Sequence, residues 1–281
     1  MSTRTPSALE LERRQYRDRQ SRRSILLAIA STVAVAAIVW ATVINTPGWG
    51  AVQQAFFDPE IALRSLPRIW DGFLLNLTVL GISVVTVAAC ALALALMRTL
   101  RGPVFFPLRA IAAGYTDIFR GLPFIIVIYL VGFGLPTILG ARIEPIVLGV
   151  IAVTLTYSAY VAEVIRAGIE AVHPSQRLAA RALGLDHGQT LRRVVLPQAL
   201  RKMTPPLMND FVAMQKDVGL ISILGAVDAV LGAKIEASQA YNFTPYIVAG
   251  ILFILLAIPT VRLTDWYAAT LQRREQTGSL I

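Results

Sequence analysis

Long apolar runs, separated by short polar segments, occupy most of the chain. The first run, 25–44, has no charged residue and is long enough to cross the hydrocarbon core of a membrane at about 1.5 Å per helical residue. A cleaved signal peptide would have a shorter apolar region, so a retained span fits this run better. Further runs of similar length predict spans at roughly 72–97, 107–134, 145–168, 206–232 and 246–269. The pattern therefore predicts an all-α, polytopic membrane protein with six transmembrane helices.

The segments between these runs differ in character. The stretch 45–71 is predicted to be a loop that contains a short amphipathic piece at 59–70. Lys216 and Asp217 interrupt the fifth run, which makes it the least regular of the six. Proline and glycine residues punctuate the ends of several runs, as they do at the ends of helices.

The largest polar interruption, 163–219, contains a predicted pair of short helices. Pro174 opens the first helix, and Gly184 is placed to end it in a left-handed conformation. Asp186 and Gln189 have the spacing of a capping box for a second helix, which Pro197 is expected to stop. We call residues 171–197 the elbow. An ordinary surface loop with some helix is the alternative interpretation of this spacing.

Arginine and lysine are distributed unevenly between the two sides of the predicted bundle. If the N-terminus starts in the cytoplasm, the segments on that side contain 19 basic residues; they are 1–23, 98–109, 166–202 and 273–281. The segments on the opposite side contain only four basic residues; they are 45–71, 135–145 and 233–245. Because cytoplasmic loops of membrane proteins are enriched in these residues, both termini are predicted to be cytoplasmic.

Composition supports a membrane protein and argues against several classes of function. Of the 281 residues, 56% are hydrophobic and only 15% are charged, which is too apolar for a soluble domain. The net charge of +9 lies on loops with few aromatic residues, which argues against nucleic-acid binding. With one cysteine and two histidines, the sequence offers few ligands for a metal site. It also contains no recognisable combination of a nucleophile and a base that would indicate a catalytic site. None of the three lysines follows a glycine, so the chain has no ATP-binding P-loop.

Several polar side chains fall inside or near the predicted spans, where a central charge costs about 2.5–3.5 kcal/mol. The candidates for a substrate pathway are Arg120, Tyr157, Tyr160, Glu163, Lys216 and Asp217. Fixed charges of both signs would suit a zwitterionic amino acid. The alternative is structural pairing inside the bundle, between Arg120 and Asp217 or between Glu163 and Lys216.

Four separated motifs follow one another in a fixed order along the chain. They are Arg120-Gly121-Leu122-Pro123, Tyr160-Val161-Ala162-Glu163, the elbow pattern of Ala179-Ala180 with Gly184 and Leu196-Pro197, and Lys216-Asp217. Over about 67–270 the sequence resembles the permease subunits of ATP-binding-cassette (ABC) importers, in the polar amino-acid subfamily of histidine, glutamine and glutamate type. The elbow is similar to the EAA loop of that family.

The resemblance implies a type I importer permease core of five helices at 72–270, with a cytoplasmic EAA coupling loop at 171–197. The other segments would be a basic N-terminal segment (1–23), an additional helix (24–45), an extracytoplasmic loop (46–71) and a cytoplasmic tail (271–281). The residues expected to couple to an ATPase subunit are Ala179, Ala180, Ala182, Leu183, Gly184, Leu185, Asp186, Leu196 and Pro197.

The resemblance also implies alternating-access import of a polar amino acid across a prokaryotic plasma membrane. Two separate ABC ATPase subunits would bind ATP and magnesium. A second permease subunit, identical or homologous, and an extracytoplasmic substrate-binding protein would complete an assembly embedded in membrane lipid. The alternative functions are an ion-coupled secondary transporter and a non-transporting membrane scaffold or sensor subunit.

Two departures from the family pattern are present. Leu178 occupies the position of the leading glutamate of the EAA motif, and Val218-Gly219 stand where Thr-Ser usually follows Lys-Asp. The first departure removes any polar contact that the glutamate would make inside the loop or to the ATPase, but it does not remove the helix-turn-helix shape.

Overall fold

The computed structural model describes residues 8–100 and 102–278, and every regular element within them is helical. The α-helices are α1 (Ala8–Ile44), α2 (Trp49–Phe56), α3 (Pro59–Thr99), α4 (Phe106–Gly121), α5 (Phe124–Tyr129), α6 (Leu135–Leu139), α7 (Pro145–Glu170), α8 (Pro174–Ala182), α9 (His187–Thr190), α10 (Leu196–Asp217), α11 (Ala229–Ala240) and α12 (Thr244–Gly278). They are joined by 3-10 turns at Pro103–Phe105 and Val218–Leu224 and by π-helical turns at Leu130–Gly134 and Leu191–Val195. The predicted all-α fold is confirmed.

The chain divides into two compact units, Met1–Ala55 and Phe56–Ile281. The first unit contains α1 and α2. From residue 19 to residue 44 every side chain of α1 is exposed, and this part of the helix is long and apolar enough to cross a membrane. A helix that is apolar all round and has no buried face is typical of a span in contact with lipid.

The number of helices that can cross a membrane depends on how bent helices are counted. Four are long and apolar enough, and the number rises to six if each of two bent pairs forms one span. One pair joins Pro103–Gly121 to Phe124–Leu139 at 108°, and the other joins His187–Leu224 to Ala229–Ala240 at 55°. The predicted six spans agree with the upper count.

The third predicted span, 107–134, is wrong as a single straight helix. α4 ends at Gly121, and Leu122 is extended with φ −90° and ψ 134° before Pro123. Proline disfavours the helical conformation of the residue before it and has no N–H to continue the hydrogen-bond ladder. The chain therefore turns sharply inside what the hydropathy pattern shows as one run.

The prediction of a loop at 45–71 is also largely wrong. α2 occupies part of this stretch, and α3 begins at Pro59, well before the predicted span at 72. The carboxylate of Asp58 fixes this start because it accepts hydrogen bonds from the N–H groups of Glu60 and Ile61, at 2.9 and 3.1 Å. The amphipathic piece predicted at 59–70 is thus the first part of α3.

A buried polar junction joins α3 to the start of α11. The side-chain amide of Asn76 donates to the carbonyl of Val218 and to the Asp228 carboxylate, both at 3.0 Å, and its oxygen accepts from the Ala229 N–H at 3.1 Å. A Cβ atom on Gly72 would lie 2.3 Å from the carbonyl carbon of Asp228, so only glycine allows this approach. The junction supplies the hydrogen bonds that a buried carboxylate requires.

Candidate functional site

The first elbow helix, α8, presents apolar side chains to its surroundings. Leu178 is 67% exposed and Leu183, at its C-cap, is 83% exposed, while Ala180 on the opposite face is 3% exposed. The helix starts at Pro174 because His173 caps it, with its ring nitrogen accepting from the Ser175 N–H at 3.2 Å. An exposed apolar face of this kind is typical of a surface that binds another protein.

The turn between the two elbow helices has the predicted geometry. Gly184 has a φ of 82°, the left-handed conformation expected of it. The Gln189 N–H donates to the Asp186 carboxylate at 2.8 Å, and the Asp186 N–H donates to the Gln189 side chain at 3.2 Å. These two bonds form the predicted capping box.

The expected stop at Pro197 is wrong. After the short helix α9, a π-helical turn leads directly into α10, and Pro197 lies in the first turn of α10. The π-helical turn before it, in which the Leu196 N–H donates to the carbonyl of Leu191, accommodates the missing N–H of Pro197. The helical stretch from His187 therefore continues without a break to Leu224. As a result, the second half of the elbow is continuous with the fifth predicted span, whose helix begins at 196 rather than 206.

The elbow is also tied to the end of α7. Arg177 donates to the carbonyl of Ile169 at 2.9 Å, and Lys202 donates to the carbonyl of Ala171 at 2.8 Å. A small core beneath the elbow is formed by Val172, Val195, Ala199 and Met203. These contacts allow a force on α8 to reach both α7 and α10.

The elbow carries a strong excess of positive charge. It contains four arginines and one acidic residue, Asp186. Three of these arginines, Arg181, Arg192 and Arg193, are exposed. A partner that binds this surface closely needs acidic groups opposite it.

Glu163 is the centre of an ion-pair cluster near the end of α7. Its carboxylate accepts from Arg98 at 2.8 Å, forms a close bidentate pair with Arg166, and lies 3.8 Å from Arg120. Arg98 also donates to Thr116 at 3.1 Å. The cluster therefore joins α3, α4 and α7.

Neither ion pair expected from the sequence forms within the part of the chain that the structure describes. Glu163 is paired with arginines instead of Lys216, which is exposed. Asp217 accepts a hydrogen bond from the hydroxyl of Tyr157 at 2.8 Å instead of pairing with Arg120. The reason is geometric, because three guanidinium groups already surround Glu163.

The remaining candidate side chains lie beside one another. The ring of Tyr157 is 6.1 Å from that of Tyr160, and the guanidinium of Arg120 lies 6.0 Å over the Tyr160 ring. The Tyr160 hydroxyl also donates to the backbone carbonyl of Arg120 at 3.3 Å. Five of the six predicted pathway residues thus form a continuous group, and Lys216 lies outside it.

A cavity of about 400 Å³ opens between α3, α7 and α10. Its lining is almost entirely apolar, apart from Tyr157 and Asp210. One carboxylate oxygen of Asp210 is buried and has no hydrogen-bond partner among the described residues. Sequence reasoning missed Asp210 and Arg98; the signal for Asp210 was a carboxylate between Leu207 and Phe211 inside a predicted span.

The family assignment follows from a comparison with known sequences. Residues 102–273 match the model of the family described as "Binding-protein-dependent transport system inner membrane component". The chain belongs to this family. The predicted resemblance to ABC importer permeases is thereby confirmed, and this inner-membrane component is a multi-pass protein of that family.

Relatives and a solved structure support the same assignment. This inner-membrane component is 31% identical to the arginine transport system permease protein ArtQ of Bacillus subtilis, over 72% of this chain and 91% of the relative. It is 34% identical to a Rickettsia conorii protein provisionally named glutamine transport system permease protein GlnP, over 71% and 92%. The crystal structure of an amino acid ABC transporter with histidines matches 73% of this chain and 94% of that one, at 32% identity and a TM-score of 0.68.

Proposed function

We propose that this protein is the permease subunit of an ABC importer that moves a polar amino acid across the plasma membrane by alternating access. The elbow carries the proposal, because its exposed apolar side chains lie next to a helical stretch that runs from His187 to Leu224. The amino-acid substrate is supported by relatives named for arginine and glutamine transport and by the match to an amino acid ABC transporter.

The elbow would transmit the movement of an ATPase subunit to the spans. Leu183 would enter a groove of the ATPase, since it is the most exposed apolar side chain of the elbow. α8 packs against α9 and the π-helical turn that follows it, so movement of α8 would shift α10, and the bond from Arg177 would pass the movement to α7. Alternating access then needs only two arrangements of these helices, biased by the nucleotide state of the ATPase.

The rest of the assembly follows from this role. Two ABC ATPase subunits would bind ATP and magnesium and need two elbows, so the permease would act as a pair related by twofold or pseudo-twofold symmetry. The elbow and both termini would face the cytoplasm, in keeping with the distribution of arginine and lysine. An extracytoplasmic binding protein would deliver substrate to the opposite side.

The substrate pathway would pass the cavity between α3, α7 and α10. Asp210 and Tyr157 line this space, where these polar groups of the protein can meet an amino acid, and the Tyr157 hydroxyl is held by its bond to Asp217. Glu163 would serve instead as a structural tie, because its carboxylate is already bound by arginines. This division replaces the single group of pathway residues expected from sequence.

Reconstitution tests the proposal. The permease would be assembled with its ATPase subunits and binding protein in proteoliposomes, and uptake of labelled amino acids would be measured with and without ATP. We expect uptake that requires ATP and stops with vanadate. Uptake that follows an ion gradient without ATP would establish a secondary transporter, and assembly without any uptake would establish a scaffold.

Two substitutions in the elbow test the docking surface. Leu183→Glu places a charge at the most exposed apolar position of the elbow, and we expect about tenfold weaker binding of the ATPase subunits. Leu178→Glu is the matched control, because it restores the glutamate of the EAA motif and should leave binding and coupling intact. Equal binding by both variants and the wild type would refute docking through Leu183.

A further inference from the structure

The end of α11 has an unusual backbone conformation. Tyr241 follows the last residue of this helix with φ 50° and ψ 40°, and it is the one non-glycine residue with positive φ among residues 8–100 and 102–278. Its side chain is 96% exposed. Glycine adopts this conformation without steric cost, whereas a tyrosine does not.

The surrounding residues hold Tyr241 in this conformation. The Tyr241 and Asn242 N–H groups both donate to the carbonyl of Ala237, the latter at 3.2 Å, which closes the helix. The Asn242 side chain accepts from the Thr244 N–H at 2.8 Å and so starts α12. Asn242 and Thr244 are buried, so the chain that follows Tyr241 is fixed while the tyrosine ring is exposed.

The neighbouring aromatic residues differ from Tyr241 because they pack within the chain. Phe243 stacks on Phe56 with ring centroids 5.1 Å apart and on Tyr246 with centroids 6.5 Å apart. Tyr241 takes no part in this stack. The helix surface just before it is polar and exposed at Ser238 and Gln239.

We propose that Tyr241 is an anchor by which the substrate-binding protein docks on the outer face of the permease. This inference rests on the proposed function and on the placement of 233–245 outside the cytoplasm. A tyrosine in a left-handed backbone conformation, which glycine would adopt without steric cost, indicates a role for its side chain. Tyrosine is well suited to that role, because it offers a large amphipathic surface with little conformational freedom to lose.

A membrane-interface tyrosine is the competing explanation for an exposed aromatic ring. Such an anchor needs no left-handed backbone, since an aromatic residue with ordinary helical backbone at the end of a helix can place its ring at the lipid headgroups. The polar neighbours of Tyr241 and the internal stacking of Phe243 and Tyr246 favour a protein partner. The family itself depends on a binding protein, which supplies that partner.

Tyr241→Gly and Tyr241→Asn separate the side chain from the backbone, because both residues accept the left-handed conformation. Binding of the substrate-loaded binding protein to the purified permease–ATPase complex would be measured in detergent, where no bilayer is present. We expect about tenfold weaker binding with both variants, and a similar fall in the ratio of binding-protein-stimulated to basal ATPase rate. The thermal stability of the complex should stay the same or rise.

Tyr246→Leu is the matched control, since Tyr246 is an exposed aromatic residue that belongs to the internal stack. We expect it to bind the binding protein as the wild type does. Wild-type binding by Tyr241→Gly in detergent, with an effect only in bilayers, would overturn the proposal in favour of a lipid contact. If the wild-type complex itself does not respond to any binding protein, the proposed function fails and not only the role of Tyr241.

Discussion

At the scale of single residues, Glu163 supplies the counter-charge for three neighbouring arginines. Its carboxylate accepts hydrogen bonds from Arg98 and Arg166 and lies near Arg120, and only 18% of its side-chain surface is exposed. Removing a carboxylate from such a site leaves arginines partly buried without their counter-charge, which costs more than losing an exposed ion pair.

Glu163→Gln should therefore destabilise the protein. We expect a loss of about 2 kcal/mol, less than the ~3–5 kcal/mol for breaking a fully buried pair, because Arg120 and Arg166 remain partly exposed. Thermal unfolding of the purified permease in detergent would measure it. Glu170→Gln is the control, since Glu170 pairs with Arg166 but is 62% exposed, and its loss should be nearly neutral. Equal stability of the two variants would show that the Glu163 ion pairs contribute no more to stability than the exposed pair of Glu170.

The sequence revealed which residues carry charge at this site but not which charges meet. Glu163 and Arg166 are one helical turn apart, so their contact is local, but Arg98 is 65 residues away on α3. Partner choice across helices depends on helix rotation and depth, which no local pattern encodes. For the same reason the expected partners of Lys216 and Asp217 were wrong, whereas the proximity of Tyr157 and Tyr160 followed from their spacing.

At the scale of elements, the approach of α3 to α11 depends on one glycine. Gly72→Ala would place a methyl group 2.3–2.5 Å from backbone atoms of Asp228 and Ala229, which cannot move aside as a flexible side chain would. We expect a loss of at least about 2 kcal/mol, from overpacking and from a strained Asn76–Asp228 junction. The midpoint of thermal unfolding of the purified permease would show it.

Gly81→Ala is the control for that measurement. Gly81 lies on the same helix, and a Cβ added there has nothing within 4 Å. Because alanine is the better helix former, this variant should be as stable as the wild type or more stable. A comparable loss in both variants would mean that glycine matters throughout α3 and not at the contact with α11.

The elbow should respond to a change at its turn in a similar way. Gly184 has open space around it but a φ of 82°, so Gly184→Ala costs about 1–2 kcal/mol through the backbone alone. We expect α8 to reorient and ATP-driven uptake to fall, with the fold of the spans intact. Gly188→Ala, at a position without positive φ, should keep full uptake. Normal uptake with Gly184→Ala would show that the left-handed turn is not needed for coupling.

The elements that the sequence predicted well are those fixed by neighbouring residues. The capping box at Asp186 and the left-handed Gly184 are local features, and both are present. The broken span at Pro123 and the continuous path from α9 into α10 were missed for opposite reasons. Pro123 lies in an apolar run that hydropathy extends as one helix, but it breaks that helix, whereas Pro197 was expected to stop a helix and instead lies in the first turn of α10, directly after a π-helical turn.

At the scale of the whole molecule, the fold class followed from apolar run length, because a lipid environment leaves few alternatives to helices. The boundary between the two compact units, at Phe56, could not be obtained in this way. It depends on which helices pack together, and the apolar sequence of α1 is the same whether it faces lipid or protein. Membrane sidedness lies between these two cases: the distribution of arginine and lysine predicts it from sequence, and chemical labelling can test that prediction.

Two engineered cysteines would test the sidedness of the protein directly. Leu183 on the elbow and Ser238 near the end of α11 are both exposed, and the predicted topology places them on opposite sides of the membrane. Each would be replaced by cysteine in a Cys90→Ala background, because Cys90 is exposed on α3 and would add its own signal. The variants would be expressed without ATPase subunits, so that the elbow is not covered.

A membrane-impermeant maleimide should then label Ser238→Cys in intact spheroplasts and Leu183→Cys only after the membrane is opened. The expected difference comes from the 19 basic residues on the elbow side against four on the other, an imbalance that predicts cytoplasmic loops on the elbow side. The reverse labelling pattern would place the elbow outside the cell, away from ATP. No ATPase subunit could then reach α8, and Tyr241 would face the cytoplasm instead of a binding protein.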